Sequence, residues 1–556
     1  MRFDYVIAGG GSAGCVLADR LSADGRYRVC LLEAGPADKS PFIRLPFGII
    51  PLLRSKVYNW QFWTAPQKHL DGRRLYWPRG RTLGGSSSIN AMCYVRGNAW
   101  DYDHWASLGC TGWSWREVLP HFRATENFEP MEKALPAERA QMAEFHGTGG
   151  PLNVADRRWS NPLSEVFLQA CLEAGYPRNT DFNGARQEGM GAYRVFQKDG
   201  ERCSNARAFL EPALGRANLT VLTESQATRV LFEGARAVGV RYFKDGRFVD
   251  VYADKEVILA AGAIGSPHLL LLSGVGPRAE LERAGIAPQA DLPGVGRNLQ
   301  DHLDVIISTR AKNRLPGSMH PFSFFRGLWG LLQYFFGRKG ELTSNVAEVG
   351  GFLKSRPEEP VPDIQWHFCP MANAQHALDL TNVITQYAYS VLTCDLRPLS
   401  RGTITLESAD PLAPPRIDPD YAAHDRDLDR LVIGVKKVRE VLAQPAFAAH
   451  RGEELSPGPA VQSDEQIRAW IRQKAETIYH PVGTCKMGVD AMAVVDPRLK
   501  VRGLEGLRVA DASIMPTLVG GNTNAPTTMI ADKAAAMILE DAKKEAASGA
   551  TMAVAA

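Results

Sequence analysis

The first 33 residues contain the feature that most constrains the fold of this chain. Residues 5–8 are a short apolar run typical of a buried parallel strand, and Gly9, Gly11 and Gly14 then form a G-x-G-x-x-G turn. Apolar residues at helical spacing follow, and a second apolar run ends at Glu33. The order of strand, glycine turn, helix, strand and acid predicts a dinucleotide-binding unit, whereas a glycine triplet alone also occurs in ordinary βαβ turns.

Each part of this unit has a physical task. Gly9 permits the tight turn, Gly11 lets a pyrophosphate approach the backbone, and Gly14 lets helix and strand pack closely. The start of the helix offers free N–H groups and the positive end of its dipole to the phosphates. Glu33 can accept hydrogen bonds from both hydroxyls of a ribose.

Composition is that of a soluble enzyme with more than one core. The chain has 556 residues, of which 45% are apolar and 22% charged, and its net charge of +3 predicts no nucleic-acid partner. Nine cysteines without a metal-ligand spacing fit reduced thiols in the cytoplasm, and no metal site is expected. No apolar run is long enough to span a bilayer, and a strand that begins at residue 3 leaves no room for a signal peptide.

Several later segments have recognisable patterns. Residues 80–90 are rich in Gly and Ser and can form an anion-binding nest of N–H groups, with a surface loop as the alternative. Residues 340–410 alternate apolar and polar side chains, as an antiparallel sheet does. The Ala-rich tail is expected to fray. Four further segments are typical of strands: 219–222, 237–243, 249–252 and 256–260.

Five long blocks of sequence follow one another along the chain. They are GRTLGGSSSINAMCYVRG from Gly80, GAIGSPHLLLLSGVG from Gly262, GVGRNLQDH from Gly294, YHPVGTCKMG from Tyr479 and VADASIMPTLVGGNTNAPTTMIADKAA from Val509. In this order they resemble the glucose–methanol–choline (GMC) oxidoreductase family over nearly the whole chain. Within that family the likeness is to bacterial FAD-dependent aliphatic alcohol dehydrogenases and choline dehydrogenases.

The resemblance implies bound FAD and a fold of class α/β plus α+β. A discontinuous Rossmann-like FAD-binding domain is expected beside a substrate-binding domain built on an antiparallel sheet covered by helices. The FAD-binding domain is expected at 1–150, 200–310 and 476–545, the substrate-binding domain at 151–199 and 311–475, and the tail at 546–556.

His480 is the expected catalytic base. A base matters because a hydride leaves easily from an alkoxide and poorly from an alcohol, and histidine is the usual general base near neutral pH. As one of twelve histidines it has a structural or surface role as its alternative. Its place in YHPVGTCKMG matches the catalytic histidine of the family, which implies hydride transfer from a primary alcohol to flavin N5.

Asn524 is the second catalytic candidate. It precedes Ala525, Pro526 and a helix-like run, so a simple N-cap is one interpretation. The resemblance instead aligns it with the family position that faces the substrate oxygen. The start of this helix would also favour negative charge on the flavin pyrimidine ring.

The glycine unit and the resemblance together imply the residues that contact FAD. These are Gly9, Gly11, Ser12, Ala13, Gly14, Glu33, Ala34, Arg81, Thr82, Gly84, Gly85, Ser86, Asn90, Ala91, Met92, Ala227, Asp511, Ala512, Asn522, Ala525 and Thr527. Some relatives join a loop histidine covalently to the flavin, and Ile89 occupies the matching position here. We therefore expect non-covalent, dissociable FAD.

The electron acceptor and the alcohol are less constrained. No second strand–GxGxxG–helix unit is present, so the acceptor is expected to be a quinone or oxygen rather than NAD. A choline site would need an aromatic cage and an acid, for which Trp60, Trp63, Trp366 and Glu348 are conceivable members. An uncharged primary alcohol, aliphatic or aromatic, is favoured.

Residues 321–338 carry large apolar side chains at helical spacing. One interpretation is an interfacial helix that docks a cytoplasmic enzyme peripherally on the inner membrane, near quinone. The other is a cap helix packed over the substrate pocket.

Four functions remain open from the sequence. They are an FAD-dependent alcohol dehydrogenase that reduces a quinone, an FAD alcohol oxidase that makes hydrogen peroxide, a non-redox lyase that uses His480, and a nucleotide-binding protein without catalysis.

Overall fold

The computed structural model describes residues 1–317, 324–372 and 375–555, with the backbone alone at 324 and 549–555. The strands, in chain order, are β1 Arg2–Ala8, β2 Val29–Leu32, β3 Phe62–Trp63, β4 Tyr76–Trp77, β5 Glu126–Phe128, β6 Leu152–Val154, β7 Gly189–Ala192, β8 Gln197–Lys198, β9 Glu201–Arg202, β10 Leu219–Leu222, β11 Gln226–Glu233, β12 Arg236–Lys244, β13 Arg247–Leu259, β14 Val275–Gly276, β15 Ala290–Asp291, β16 Leu303–Ala311, β17 Val349–Leu353, β18 Ile364–Cys369, β19 Ala388–Asp395, β20 Thr403–Thr405, β21 Arg416–Asp418, β22 Arg451–Ser456, β23 Glu476–Thr477 and β24 Leu507–Val509. The helices are α1 Ser12–Ser22, α2 Pro41–Arg44, α3 Ile49–Arg54, α4 Ala99–Ser107, α5 Trp115–Thr125, α6 Pro130–Lys133, α7 Pro136–Phe145, α8 Pro162–Glu173, α9 Glu211–Ala213, α10 Gly262–Leu272, α11 Arg278–Arg283, α12 Phe324–Gly337, α13 Thr381–Thr385, α14 Asp425–Leu442, α15 Asp464–Lys474 and α16 Asn524–Ala555.

The first sheet has the strand order β10-β2-β1-β13-β12-β11, and β24 pairs with β13. Strands β10, β2, β1, β13 and β24 are mutually parallel, whereas β11 and β12 extend the sheet by antiparallel pairing. The predicted strands at 249–252 and 256–260 are one continuous strand, β13. Burial of the apolar end of β1 on both faces explains its unbroken hydrophobic run.

Helix α1 packs against the C-terminal helix α16 beside this sheet. The contact is close because α16 buries small residues, among them Ala531, Ala534 and Ala535. The helix runs to Ala555, so the tail predicted to fray continues a helix whose Asp541 accepts hydrogen bonds from Arg508 and Arg498.

The second sheet is antiparallel, with the order β22-β16-β19-β18-β17-β7 and β23 paired with β16. Helices α8 and α14 cover it, as expected for the substrate-binding domain. The predicted domain limits at 310 and 476 fall inside β16 and β23, because both strands pair in this second sheet. The predicted fold class, α/β plus α+β, is confirmed.

The predicted helix at 321–338 corresponds to α12, and residues 321–323 lie outside the described residues. None of the helices in the described ranges is both long enough and apolar enough to cross a membrane.

Candidate active site

A cavity of about 640 Å³ runs from the glycine turn of the first sheet to His480 in front of the second sheet. Most residues predicted to contact the cofactor line it. They are Gly9, Gly11, Ser12, Ala13, Glu33, Ala34, Gly85, Ser86, Asn90, Ala91, Met92, Ala227, Asp511, Ala512, Asn522 and Thr527. The predicted residues Gly14, Arg81, Thr82, Gly84 and Ala525 do not line the cavity.

The glycine turn at one end of the cavity is sterically specified. Gly9 has φ +114°, and a Cβ on Gly14 would lie 1.8 Å from the carbonyl oxygen of Gly9. At Gly11 a Cβ would meet no atom of the protein closer than 3.9 Å. Gly9 and Gly14 are therefore required by the fold itself, whereas Gly11 leaves an open cradle at the start of α1.

Glu33 lies at the end of β2 next to this cradle. Its Oε2 accepts a hydrogen bond from the Gly10 N–H at 2.9 Å, and its Oε1 accepts one from Gly35 at 2.7 Å. Burial raises the pKa of Glu33 to about 7, although the two N–H donors act in the opposite direction. The carboxylate is thus fixed in orientation, and its remaining lone pairs are available to ribose hydroxyls.

The second glycine-rich loop packs directly on the first. Gly84, with φ +82°, donates its N–H to the Gly10 carbonyl at 2.8 Å, and a Cβ on Gly85 would lie 2.8 Å from Gly11 Cα. The Arg81 guanidinium lies over the Trp60 ring, 5.1 Å from its centroid, and Thr82 donates to the Pro36 carbonyl. Gly84, Arg81 and Thr82 therefore hold the loop in place rather than face the cavity.

The other end of the cavity contains a chain of polar side chains centred on His480. The Nε2 of His480 lies 3.2 Å from Asn522 Nδ2, and its Nδ1 lies 2.9 Å from His302 Nδ1. Gln365 donates to Asn522 Oδ1 at 3.2 Å, which turns the amide nitrogen of Asn522 toward His480. His367 lies in the same cavity.

These contacts determine the tautomer of His480. Asn522 Nδ2 can only donate, so His480 Nε2 is the acceptor and its proton is on Nδ1. That proton is donated to His302 Nδ1, so a neutral His302 has its own proton on Nε2. The backbone carbonyls of Leu396 and Val519 partly oppose the lowering of the His302 pKa, although His302 Nε2 itself is buried and forms no hydrogen bond within the described residues.

Asp301 holds the backbone of this end in position. Its Oδ1 accepts the N–H of His480 at 2.7 Å, while its Oδ2 accepts hydrogen bonds from the hydroxyls of Thr477 and Tyr421. Tyr479, directly before His480, has φ +73°, in the left-handed region that non-glycine residues seldom adopt. The local backbone is therefore strained where the imidazole enters the cavity.

The histidines at this end are neutral. Burial lowers the pKa of His480 well below its ordinary value, and the nearby His302, His367 and Arg79 side chains lower it further. Burial also lowers the pKa of His302 to about 3 and that of His367 to about 4. Nε2 of His480 is consequently unprotonated at neutral pH, and its lone pair faces Asn522 Nδ2.

Asn524, expected to face the substrate oxygen, lines the cavity, but its side chain is hydrogen-bonded away from His480. Its Oδ1 accepts a hydrogen bond from Ser12 Oγ at 2.8 Å, and its Nδ2 donates to Asn205 Oδ1 at 3.2 Å. Asn524 begins α16 and connects it to the start of α1. Asn522, two residues earlier and predicted to contact the cofactor, is the residue beside His480.

Asp511 connects three segments around the cavity. Its Oδ2 accepts from Gly262 N and Ser266 Oγ at the start of α10, and its Oδ1 accepts from the N–H and hydroxyl of Ser513. Burial raises its pKa despite these donors. Asp511 thereby forms part of the cavity wall.

Several residues of the reactive end were missed by the sequence analysis. They are Arg79, Asp301, His302, Gln365 and His367. Asp301 and His302 end the block GVGRNLQDH, and the adjacent acid and imidazole were the signal that could have indicated a role. Gln365 and His367 alternate along β18 on the face that points to Asn522, which no local pattern reveals.

The cavity fits FAD. The open cradle at Gly11 and the N-terminus of α1 suit a pyrophosphate, Glu33 suits a ribose, and the cavity continues far enough to hold a ring system beside His480. Ile89 also lines the cavity, and its side chain offers no nucleophile.

Comparison with known proteins agrees with this geometry. The sequence models of the GMC oxidoreductase family match residues 3–304 and 398–531. The chain is 52% identical to an alcohol dehydrogenase [acceptor] of Pseudomonas putida, over 97% of this chain and 96% of the relative. It is 46% identical to the mitochondrial choline dehydrogenase of Homo sapiens, over 97% and 90% of the two chains. A structure of Aspergillus oryzae formate oxidase, solved to study FAD modification, superposes with a TM-score of 0.90 at 27% identity and covers 98% of this chain and 99% of its own.

Proposed function

Because the chain belongs to the GMC oxidoreductase family and is an FAD-dependent enzyme acting on CH–OH groups, we propose that it oxidises an uncharged primary alcohol to the aldehyde with His480 as the base. The observation that carries this proposal is the 3.2 Å contact between His480 Nε2 and Asn522 Nδ2 in the cavity wall. The two groups offer a proton acceptor and a proton donor to one alcohol oxygen.

Bound FAD would supply the acceptor for the hydride that leaves the carbinol carbon. His480 takes the hydroxyl proton on Nε2, and Asn522 Nδ2 donates a hydrogen bond to the same oxygen as negative charge develops on it. Asn522 cannot compete as a base, because its amide nitrogen has no lone pair to offer. Arg79, buried in the cavity wall, adds positive charge at this end.

His302 acts through His480 as a positioning residue. It accepts the Nδ1–H of His480 and thereby keeps the lone pair on the nitrogen that faces the cavity. After proton transfer, the Nδ1–H of His480 can keep its hydrogen bond to His302 Nδ1, so the ring stays in the same orientation.

The chemistry of the cavity wall supports an uncharged substrate. Beyond His480, the wall contains apolar side chains and thiols, including Val346, Cys369 and Leu392. The carboxylates that line the cavity within the described residues are Glu33 and Asp511, and both are engaged by N–H donors. Glu348, a conceivable choline ligand, instead accepts hydrogen bonds from Asn161, Ser164 and Ser344. A quaternary ammonium group would find no carboxylate beside His480 in this wall.

A quinone is the acceptor we propose. The sequence has a single G-x-G-x-x-G unit in a nucleotide-binding context, and that unit lines the FAD cavity. The Pseudomonas putida relative is named for an unspecified acceptor, which is compatible with a quinone. The enzyme would then work in the cytoplasm at the inner face of the membrane, with dissociable FAD.

The test is anaerobic stopped-flow reduction of the bound flavin by a panel of primary alcohols. We expect bleaching by uncharged alcohols and a loss of about 10³-fold in His480→Ala, a typical effect of removing a general base. His268→Ala, which removes another histidine of the cavity wall on α10, is the matched control and should leave the rate for bound flavin nearly unchanged. An unchanged rate in His480→Ala would contradict the proposal, and so would a flavin that no alcohol bleaches, as expected of a lyase.

The acceptor is tested with the reduced enzyme. Rapid reoxidation by a short-chain quinone with slow reoxidation by air supports a dehydrogenase. Stoichiometric hydrogen peroxide under air would make the enzyme an oxidase.

A further inference from the structure

Helix α12 exposes an unusual number of large apolar side chains. Phe325, Trp329, Phe335 and Phe336 are between 62% and 88% exposed, and the leucines at 328, 331 and 332 are more than 40% exposed. Tyr334 alone among the described large side chains of the helix is buried. Scattered single apolar residues are normal on a surface, but a contiguous set of this kind marks an interaction site.

A short series of contacts connects α12 to the wall of the cavity. Helix α12 contacts residues 341–343, these contact residues 46–48, and α3 follows directly. Ile49 and Leu53 of α3 line the cavity, and Ile49 is itself partly exposed. Phe42 on α2, which contacts α3, is a further exposed aromatic side chain next to this part of the wall.

Exposed cations follow α12 and lie at the end of α3. Lys339 follows α12, and Arg54 and Lys56 end α3 and the turn after it; all are exposed and form no ion pair within the described residues. Arg326 and Arg338, by contrast, are paired with Glu341 and Glu201. Apolar side chains with a basic border are complementary to a bilayer that contains anionic lipids.

The occupant is a lipid surface rather than a second copy of the chain. A symmetric contact between two copies would bring equivalent patches together and place these cations near one another. The helix has 14 residues and is about 21 Å long, too short to span a bilayer, so it would lie in the interface plane.

We propose that the exposed face of α12 docks the enzyme on an anionic phospholipid bilayer, with the cavity opening toward the lipid. This docking would give long-chain alcohols and quinones a route from the membrane to His480. The use of the cavity by these molecules rests on the proposed function. Such molecules dissolve in lipid and hardly in water, so the route determines which alcohols the enzyme meets.

The test compares the wild type and three variants in their binding to vesicles of phosphatidylcholine alone or mixed with phosphatidylglycerol. The wild type should sediment with the anionic vesicles, and its tryptophan fluorescence should be quenched by brominated lipid more than that of Trp329→Phe. The double variant Phe335→Ser/Phe336→Ser should bind about tenfold or more weakly. Phe248→Ser, which removes an aromatic ring that is 52% exposed on β13 of the first sheet, is the matched control and should bind like the wild type.

A dye-linked assay with a short, water-soluble alcohol separates the two proposals. The double variant should retain the wild-type rate there and lose activity only on a long-chain alcohol presented in vesicles. Equal vesicle binding by wild type and double variant would overturn the docking proposal, as would no binding by either. A wild-type dimer that the double substitution converts to a monomer would also overturn it, because the face would then be covered by a second copy.

Discussion

The two ends of the cavity are built in different ways. At the nucleotide end, backbone groups of residues 9–14 and the side chain of Glu33 come from one continuous βαβ unit. At the reactive end, His302, His367, His480 and Asn522 come from widely separated parts of the chain and meet through side chains. The first end is therefore specified by local geometry, whereas the second depends on how two sheets pack.

The largest expected effect of a single substitution is a loss of stability and of bound FAD at the nucleotide end of the cavity. Gly14→Ala would place Cβ 1.8 Å from the Gly9 carbonyl oxygen, so the turn cannot form without displacement of α1. We expect a destabilisation of more than about 4 kcal/mol and almost no FAD-loaded protein. Thermal unfolding and the flavin absorbance of the purified protein measure both.

Gly11→Ala is the matched variant for this test. Its Cβ meets no protein atom closer than 3.9 Å, but it enters the open cradle. The protein should fold with nearly normal stability and bind FAD at least about tenfold more weakly, because a pyrophosphate could no longer approach the backbone. Normal FAD affinity in Gly11→Ala would show that the cradle does not hold the cofactor.

A smaller effect is expected from Asn522 at the reactive end. Asn522→Ala removes a hydrogen bond to a developing negative charge, so flavin reduction should slow by about 10- to 100-fold with the FAD content preserved. Asn524→Ala should leave the reduction rate of bound flavin within about twofold and instead lower stability, since it loses its bonds to Ser12 and Asn205. The opposite pattern in anaerobic stopped flow would restore the role first predicted for Asn524.

The smallest expected effect on the rate of flavin reduction comes from substitution of His302. His302→Ala should slow flavin reduction about tenfold, because Nδ1 of His480 loses its hydrogen-bond acceptor. A tenfold change corresponds to the free energy of about one hydrogen bond. His302→Asn, whose side-chain oxygen can lie near the position of Nδ1, should recover most of the rate.

The pH dependence of flavin reduction shows whether His302 positions His480 or only supports the fold. Since the pKa of His480 is well below its ordinary value, wild-type flavin reduction should be independent of pH through the neutral range and fall only in acid. In His302→Ala the acid limb should move to higher pH, because one contribution that lowers the pKa of His480 is gone. An unmoved limb would mean that His302 only supports the fold.

The sequence analysis predicted what local patterns encode. The βαβ unit, the antiparallel second sheet and the cavity-lining glycines follow from spacing and steric needs within short segments. The family resemblance added His480 and FAD.

The features of the site that the sequence analysis did not predict depend on contacts between residues far apart in the chain. Asn522 and Asn524 are the same residue type two positions apart, and both line the cavity. They differ in their contacts, because Asn522 lies beside His480 whereas Asn524 is bonded to Ser12 and Asn205. His302 becomes important through one contact across 178 residues of sequence. The apolar period of α12 was visible, but its exposure depends on which elements pack nearby, and periodicity alone cannot distinguish a core from a lipid-facing surface.

The most direct test of the account is a double-mutant cycle between His480 and Asn522, measured as the anaerobic rate of flavin reduction. If both side chains act on one alcohol oxygen, the double variant His480→Ala/Asn522→Ala should be little slower than His480→Ala, since a neutral hydroxyl gains little from Asn522 once no base deprotonates it. If the two losses multiply in full, the side chains act independently, and the reactive pair on which the account rests does not exist.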